Sequence, residues 1–470
     1  MTEFCFPVRI ALSRCAGDTS ALLKKQSMQI DLFEKYTAHF QDGDFVVLDF
    51  GKEMCGSVRI LTFTPAAVKV RIRFGESLSE CCAELGGAQN ATNDHALRDF
   101  ETNLPIYSDM TFANTGFRFV RIDFYGEARI KSVIAVNHIL KRKAVFSYQG
   151  EDARIREIFE VAKRTVDLCA SSGYVWDGVK RDRLVWIGDI EPEMLALATL
   201  YGRLPAIEKS LDFVRRQTKL PRWMNDFPTY SMWWIIILAD YHARVGAEDF
   251  VKRQMDYLYD LVEQMSAFVH EDGSMHYPFY FLDWPTHETP DEIHGVRAIH
   301  IIAMKRAISL LEGFGRSAKT AKEVLARLLK IEIAPKKSKQ VLGLKHFATG
   351  LTEADKEMLT RGGAKGMSTF MSYFILKAVA SFDRAAAIEM MKEYYGAMLD
   401  KGATTFWEDF DLSRVQGSGR IDALPKEGER DIHGDFGAFC YVGFRHSLCH
   451  GWSAGVIAFI KEECENGCFS

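Results

Sequence analysis

Residues 130–166 read IKSVIAVNHILKRKAVFSYQGEDARIREIFEVAKRTV, and the hydrophobic period changes inside that stretch. Ile130 to Val136 reads as a strand. From Asp152 the period is 3.6: Ile155, Ile158, Phe159, Ala162 and Val166 fall on one helical face, with Asp152 placed to cap the N-terminus. Upstream, everything resembles the first half. Val68 to Phe74 alternates apolar and basic residues and stops at Gly75, the mark of a half-buried strand. Phe45–Gly51, Val58–Phe63 and Val120–Phe124 read alike. Short strands bounded by Gly, Asn and Pro predict an antiparallel β-sandwich over 1–148. No strand–helix–strand rhythm or glycine fingerprint suggests a dinucleotide fold.

Downstream, everything resembles the second half. Helical patterns recur near 190–202, 204–217, 230–245, 248–270, 291–312, 316–331, 367–382, 384–401 and 447–462, with weaker ones near 338–349 and 352–361. Met232 to Leu238 is apolar almost all round, so that helix is buried on most sides. Consecutive helices can build a bundle, a solenoid or a closed α/α toroid. A solenoid needs a repeat of ~33–47 residues, and none is found. Long polar-aromatic loops at 174–189, 219–229, 271–290 and 402–446 favour the toroid over 149–470, because alternate loops then gather at one mouth.

The chain has 470 residues, 47% of them hydrophobic and 26% charged, with 59 Lys+Arg against 63 Asp+Glu. That balance gives no footprint for nucleic acid or an anionic membrane surface. No apolar run is long enough to span a bilayer. The first residues carry Glu3 and no continuous apolar segment, so no signal peptide is expected and the location reads as cytoplasmic. A trimmed chain would equally suit the periplasm. Ten scattered cysteines read as reduced thiols, and the Cys464/Cys468 spacing is a weak metal signal. No metal or cofactor is expected.

The chemistry concentrates in loops. Residues 174–193 read YVWDGVKRDRLVWIGDIEPE: Lys180 to Arg183 lie between Trp176 and Trp186, flanked by Asp177 and Asp189. Either these charges pair and brace neighbouring helices, or they line a cleft where carboxylates of unequal pKa meet a neutral polar ligand. Acids sit among aromatics again at Trp407-Glu408 and Asp283-Trp284. Sugar rings present C–H faces to indole and hydroxyls to carboxylates, so three such pairs point toward a glycosidase with two working carboxyls. The histidines at 433, 446 and 450, and at 276, 287 and 294, show no metal-ligand spacing.

At these residues the chain resembles the α-L-rhamnosidases of glycoside hydrolase family 78. The family loop DCPQRDERLGWTGD is matched by DGVKRDRLVWIGD at Asp177–Asp189, its ATTxWE by ATTFWE at Ala403–Glu408, and its SLCHGWSxG by SLCHGWSAG at Ser447–Gly455. The segment LDFGKEMCGSVRI is also similar to the family's sandwich motif, so the resemblance covers roughly 44–460. It implies a β-sandwich followed by an (α/α)6 barrel and inverting hydrolysis of a terminal α-L-rhamnosyl group. It further implies Asp182 as general acid and Glu408 as general base. Asp177, Arg181, Trp186, Asp189 and His450 match sugar-binding positions, and Trp233, Asp283 and Trp284 fall near further ones. Trp407 joins them through its place beside Glu408. The family loop is one residue longer and carries a Glu where Asp182 stands. The alternative is therefore a sugar-binding or sensing protein that keeps the pocket without the acid. A flat helical scaffold is a third reading. The expected partner is a carbohydrate, with a homodimer compatible.

Overall fold

The computed structural model describes residues 2–31, 33 and 36–465; Cys468 lies outside them. Strands come first: β1 (Thr2–Cys5), β2 (Arg9–Arg14), β3 (Ala38–Phe40), β4 (Phe45–Thr62) and β5 (Val68–Gly75). A short helix α1 (Leu78–Cys82) follows, then β6 (Asp99–Leu104), β7 (Asp109–Tyr125) and β8 (Ala128–His138). They form one antiparallel sheet, β1-β8-β4-β7-β5-β6, with β2 on β4 and β3 on β8. The sheet doubles on itself because β4 and β7 are long. Phe45–Asp49 pairs with β2 and the end of β7, whereas Met54–Leu61 pairs with β8 and the start of β7. A break in register separates the two halves, at Gly51 with its left-handed φ of 79°. Val46, Leu48, Ile60, Ile72, Ile122 and Val133 from both halves share one core. The two expected strands at 45–51 and 58–63 are thus a single bent strand.

The helices are α2 (Ala153–Cys169), α3 (Ile190–Tyr201), α4 (Pro205–Gln217), α5 (Pro228–Val245), α6 (Glu248–Lys252), α7 (Met255–Ser266), α8 (Glu292–Gly313), α9 (Lys319–Leu328), α10 (Lys339–Ala348), α11 (Glu353–Thr360), α12 (Ser372–Ala380), α13 (Arg384–Asp400) and α14 (Val456–Phe459). They alternate between an outer and an inner ring. Neighbours touch in the order α3, α5, α8, α10, α12, α14, and α14 returns to α3, which closes an (α/α)6 toroid. Inner helices are apolar on most sides: every residue of α3 is buried. Outer helices such as α4 bury one stripe only, Ala206, Ile207, Ser210, Leu211 and Val214.

Three helical expectations change. The 248–270 pattern splits into α6 and α7 with neither Gly nor Pro at the break, so nothing in its pattern marks it. The 367–382 helix begins at Ser372, because Ser368 and Thr369 spend their hydroxyls on Asp283 and the Glu408 carbonyl. The 447–462 helix starts late: Ser447–His450 is a loop tied to the site, a 3-10 turn at Gly451–Gly455 leads into α14, and a π-helical turn at Ile460–Cys464 carries it on. No helix of the described residues is long and apolar enough to cross a membrane.

Asp152 caps α2 as expected, accepting from the amides of Arg154 and Ile155 at 2.8 and 3.1 Å. Asp152→Ala should remove about 1 kcal/mol. A small downward shift of the urea midpoint checks this, and an unchanged midpoint would refute it.

The sandwich leans on the loop end of the toroid. Glu53 N donates to Thr404 Oγ1 at 2.9 Å, Leu78 N to the Ile421 carbonyl at 2.8 Å, and Arg118 binds Asp49 and the Gly402 carbonyl. The strands therefore buttress the loops that carry the predicted chemistry.

Candidate active site

The segments leading into α3, α5, α8 and α14 surround a pocket of about 190 Å³ at that end of the toroid. The segment between α2 and α3 supplies Asp177, Arg181, Asp182, Trp186 and Asp189. The start of α5 supplies Phe227 and Tyr230, and the loop before α8 supplies Phe281 and Trp284. Glu408 follows α13, and Cys440, Arg445, His450 and Trp452 precede α14.

The 177–189 loop is held by its own backbone. The Asp177 amide donates to the Leu184 carbonyl at 3.2 Å, and Leu184 N donates to Asp177 Oδ1 at 2.9 Å. Between them the chain doubles back through two successive left-handed residues, Asp182 (φ 51°) and Arg183 (φ 52°). Side chains tolerate that region poorly, so the turn is strained. Gly188 is needed for another reason: a Cβ there would lie 2.4 Å from the Tyr230 ring, whose hydroxyl donates to Asp189 at 3.1 Å.

Arg181 joins the two candidate carboxyls. Its Nη1 donates to Asp182 Oδ2 at 2.9 Å and its Nη2 to Glu408 Oε1 at 2.5 Å, while Nε holds the Arg445 carbonyl at 3.0 Å. Glu408 is clamped on all sides. Its amide donates to the Ser447 carbonyl at 2.9 Å, Ser447 N donates to its Oε2 at 2.8 Å, and Trp452 Nε1 donates to its carbonyl at 3.0 Å. Asp182 is freer, its side chain 15% exposed against 5% for Glu408. From the sandwich, His95 Nε2 reaches Asp182 Oδ1 at 3.1 Å.

Burial sets the electrostatics. It pushes the Glu408 carboxyl above the ordinary range, with Arg181 and the Ser447 amide pulling back. Burial pushes Asp177 up strongly, helped by Asp182 and Asp189, and does the same to Asp189. His450 stands among them, its Nε2 at 4.0 Å from Asp177 and Asp189 and 3.8 Å from Glu408. Burial, reinforced by Arg181, holds its pKa well below the usual value, so the imidazole is neutral. Beneath lies Glu193, buried with neither oxygen partnered and pushed upward by that burial. Around them Trp186, Phe227, Tyr230, Phe281 and Trp284 form a continuous aromatic wall of edge-to-face, tilted and stacked contacts.

The structure brings together Asp177, Arg181, Asp182, Trp186, Asp189, Trp284, Glu408 and His450. Three expected binding residues stand elsewhere. Trp233 lies further along α5, against Phe370 and Phe374, and faces another cavity. Trp407 is 1% exposed and packs on Phe410, whereas Glu408 beside it lines the pocket. Asp283 turns inward to the Thr286 amide and the Ser368 hydroxyl, and burial raises it to about 6. Sequence reading missed Phe227, Tyr230, Phe281, Cys440, Arg445 and His95. Trp452 sat inside the quoted SLCHGWSAG motif and was passed over.

Residues 39–140 match the family model for the bacterial alpha-L-rhamnosidase concanavalin-like domain. Among solved structures, the chain is similar to a rhamnosidase from Klebsiella oxytoca with rhamnose bound, at TM-score 0.75 and 19% identity, over 98% of this chain and 96% of that one. It is similar to a GH78 family rhamnosidase of Bacillus SP. GL1 at TM-score 0.71 and 16% identity, over 94% of this chain and 48% of that one. The Streptomyces avermitilis alpha-L-rhamnosidase complexed with L-rhamnose gives 0.61 and 17%, over 88% of this chain and 42% of that one. The chain thus spans nearly all of the first and about half of the other two. No curated protein matches by sequence. The α-L-rhamnosidase fold is the fold of this protein.

Proposed function

We propose that this protein hydrolyses glycosides carrying a terminal α-L-rhamnosyl residue, with inversion. The observation that carries the reading is Arg181, whose two terminal nitrogens hold Asp182 and Glu408 at the mouth of one aromatic-walled pocket. Asp182, the more exposed, protonates the departing glycosidic oxygen. Glu408 takes a proton from water attacking the opposite face of the ring, and the anomeric carbon exchanges its C–O bond. Asp177, Asp189 and His450 bind ring hydroxyls, and Trp186 and Trp284 face the apolar side of the sugar. Residues 149–470 form the catalytic unit and 1–148 its support. The fold shared with rhamnose-bound rhamnosidases supports the choice of sugar.

A screen of nitrophenyl glycosides, with the product anomer followed by proton NMR, tests the proposal. Cleavage of the α-L-rhamnoside releasing β-rhamnose first is expected. Release of α-rhamnose first would overturn inversion, and no cleavage of any glycoside would overturn the activity. His95 Nε2 lies 3.1 Å from the Oδ1 of the acid across the sandwich interface. His95→Ala should therefore lower kcat about 5-fold, equivalent to ~1 kcal/mol, with KM little changed. Steady-state kinetics on the same substrate decides, and an unchanged kcat removes His95 from the mechanism.

A further inference from the structure

The inner helices also enclose a cavity of about 340 Å³ that shares no residue with the pocket above. It lies between α3, α5, α8, α10 and α12, and the charged residues Asp240, Arg244 and Arg306 stand along one side of it. A larger depression of about 900 Å³ shares Asp240, Ala243 and Arg306 with it and serves as its vestibule. Its walls are aromatic, from Trp233, Phe347, Tyr373 and Phe374.

Its charges are already matched. Arg306 pairs with Asp240 at 2.5 Å, and Arg244 with Glu462 at 2.7 Å. Arg306 Nε still makes no hydrogen bond, and two uncharged partners for a ligand stand beside it. Trp233 is 1% exposed, and its indole N–H has no acceptor. Glu191 is also 1% exposed, and its Oε2 has no donor. Burial, with the Asp240 charge and a side-chain hydrogen bond to Asp240, pushes the Glu191 carboxyl well above its ordinary range. A buried polar atom without a partner is destabilising. Here one donor and one acceptor line the same aromatic cavity. A hydroxyl satisfies both kinds of atom, and a C–H face suits the rings. The volume falls in the ordinary range for small ligands.

We propose that this cavity is a second carbohydrate site, taking a neutral monosaccharide or polyol, with Trp233 and Glu191 as its recognition pair. A charged ligand would leave its own charge unmatched beside the closed ion pairs.

The test is fluorine NMR of the whole chain labelled with 5-fluorotryptophan, with the Trp233 and Trp284 resonances assigned through Trp233→Phe and Trp284→Phe. L-rhamnose, D-glucose and D-mannitol are titrated, with D-gluconate as the charged control. A neutral member of the panel is expected to shift the Trp233 resonance saturably, with a midpoint separate from that of Trp284. Glu191→Gln, which keeps an acceptor, should retain the response, and Glu191→Leu should weaken it about tenfold. A Trp233 resonance that stays in place with every neutral compound, or moves only with gluconate, overturns the proposal. Because Trp284 reports on the first pocket, its response tests the proposed activity separately. The wild-type titration decides even if a Glu191 variant does not fold.

Discussion

Glu408→Gln is expected to lower kcat by about 10²–10⁴-fold while KM changes little. The substitution keeps size and shape. A carboxamide has one acceptor oxygen, so it keeps the contact with either Arg181 or the Ser447 amide, while the backbone bonds of residue 408 to Ser447 and Trp452 stay in place. What it cannot do is take a proton from water. The pH profile adds a second readout. Burial raises the Glu408 carboxyl in the folded protein, so its charged, active form appears only above the ordinary glutamate range. The wild-type rate should therefore climb with pH through an acidic limb displaced upward, and the variant should lose that limb. Assays of kcat against pH on a nitrophenyl rhamnoside measure both effects. A variant retaining more than about a tenth of wild-type kcat would move the base elsewhere.

The parts of this fold legible in the sequence are those in which one period acts alone. The α2 face from Ile155 to Val166 and the alternation of Val68–Phe74 reflect a single helix or strand meeting a single core. β4 misleads because its two halves serve opposite layers of one sheet, which only the partner strands reveal. The site divides in the same way. Asp177, Arg181, Asp189 and Glu408 were found because charge among aromatics in a loop has few explanations. Trp233 was misplaced because its position along α5 decides which cavity it meets, and a helix buried on most sides gives no periodic clue to that position. His95 and Arg445 could not be read at all. Each belongs to a loop with no motif of its own, and packing of the sandwich on the toroid brings them to the pocket: His95 through Asp182, Arg445 through Asp94.

Lys180 carries the largest expected effect on stability. In sequence it is one of four consecutive charges, as a solvated turn would be. In the structure its side chain is fully buried between the two domains. The ammonium lies 2.7 Å from Glu80 and 3.6 Å from Glu76, and it donates to the carbonyls of His446 and Phe444. Arg98 adds the second cation, 2.9 Å from Glu80. The Glu76, Glu80 and His433 ligand atoms lie within 4.8 Å of one another, a spacing a metal could use, but the lysine already supplies the charge. Lys180→Met would leave two buried carboxyls facing Arg98 alone. Breaking one side of such a cluster costs about 3–5 kcal/mol, a large part of a domain's total stability. The sign of the pH dependence follows from the glutamates. Burial raises Glu76 to about 7 even with Lys180 pulling it down, and the two cations together hold Glu80 below its ordinary value despite its burial. Without the ammonium both rise, so the folded variant must take up protons, and its deficit should shrink as the pH falls from about 8 to about 5. Activity should fall as well, since Glu76 accepts from Ser447 Oγ at 2.9 Å and the Ser447 amide holds Glu408. Urea unfolding at the two pH values measures the first effect, and kcat the second. Adding Glu80→Gln to Lys180→Met should recover part of the stability, because it removes one stranded charge. A deficit below about 1 kcal/mol that is flat with pH would mean that water, rather than Lys180, satisfies these carboxyls.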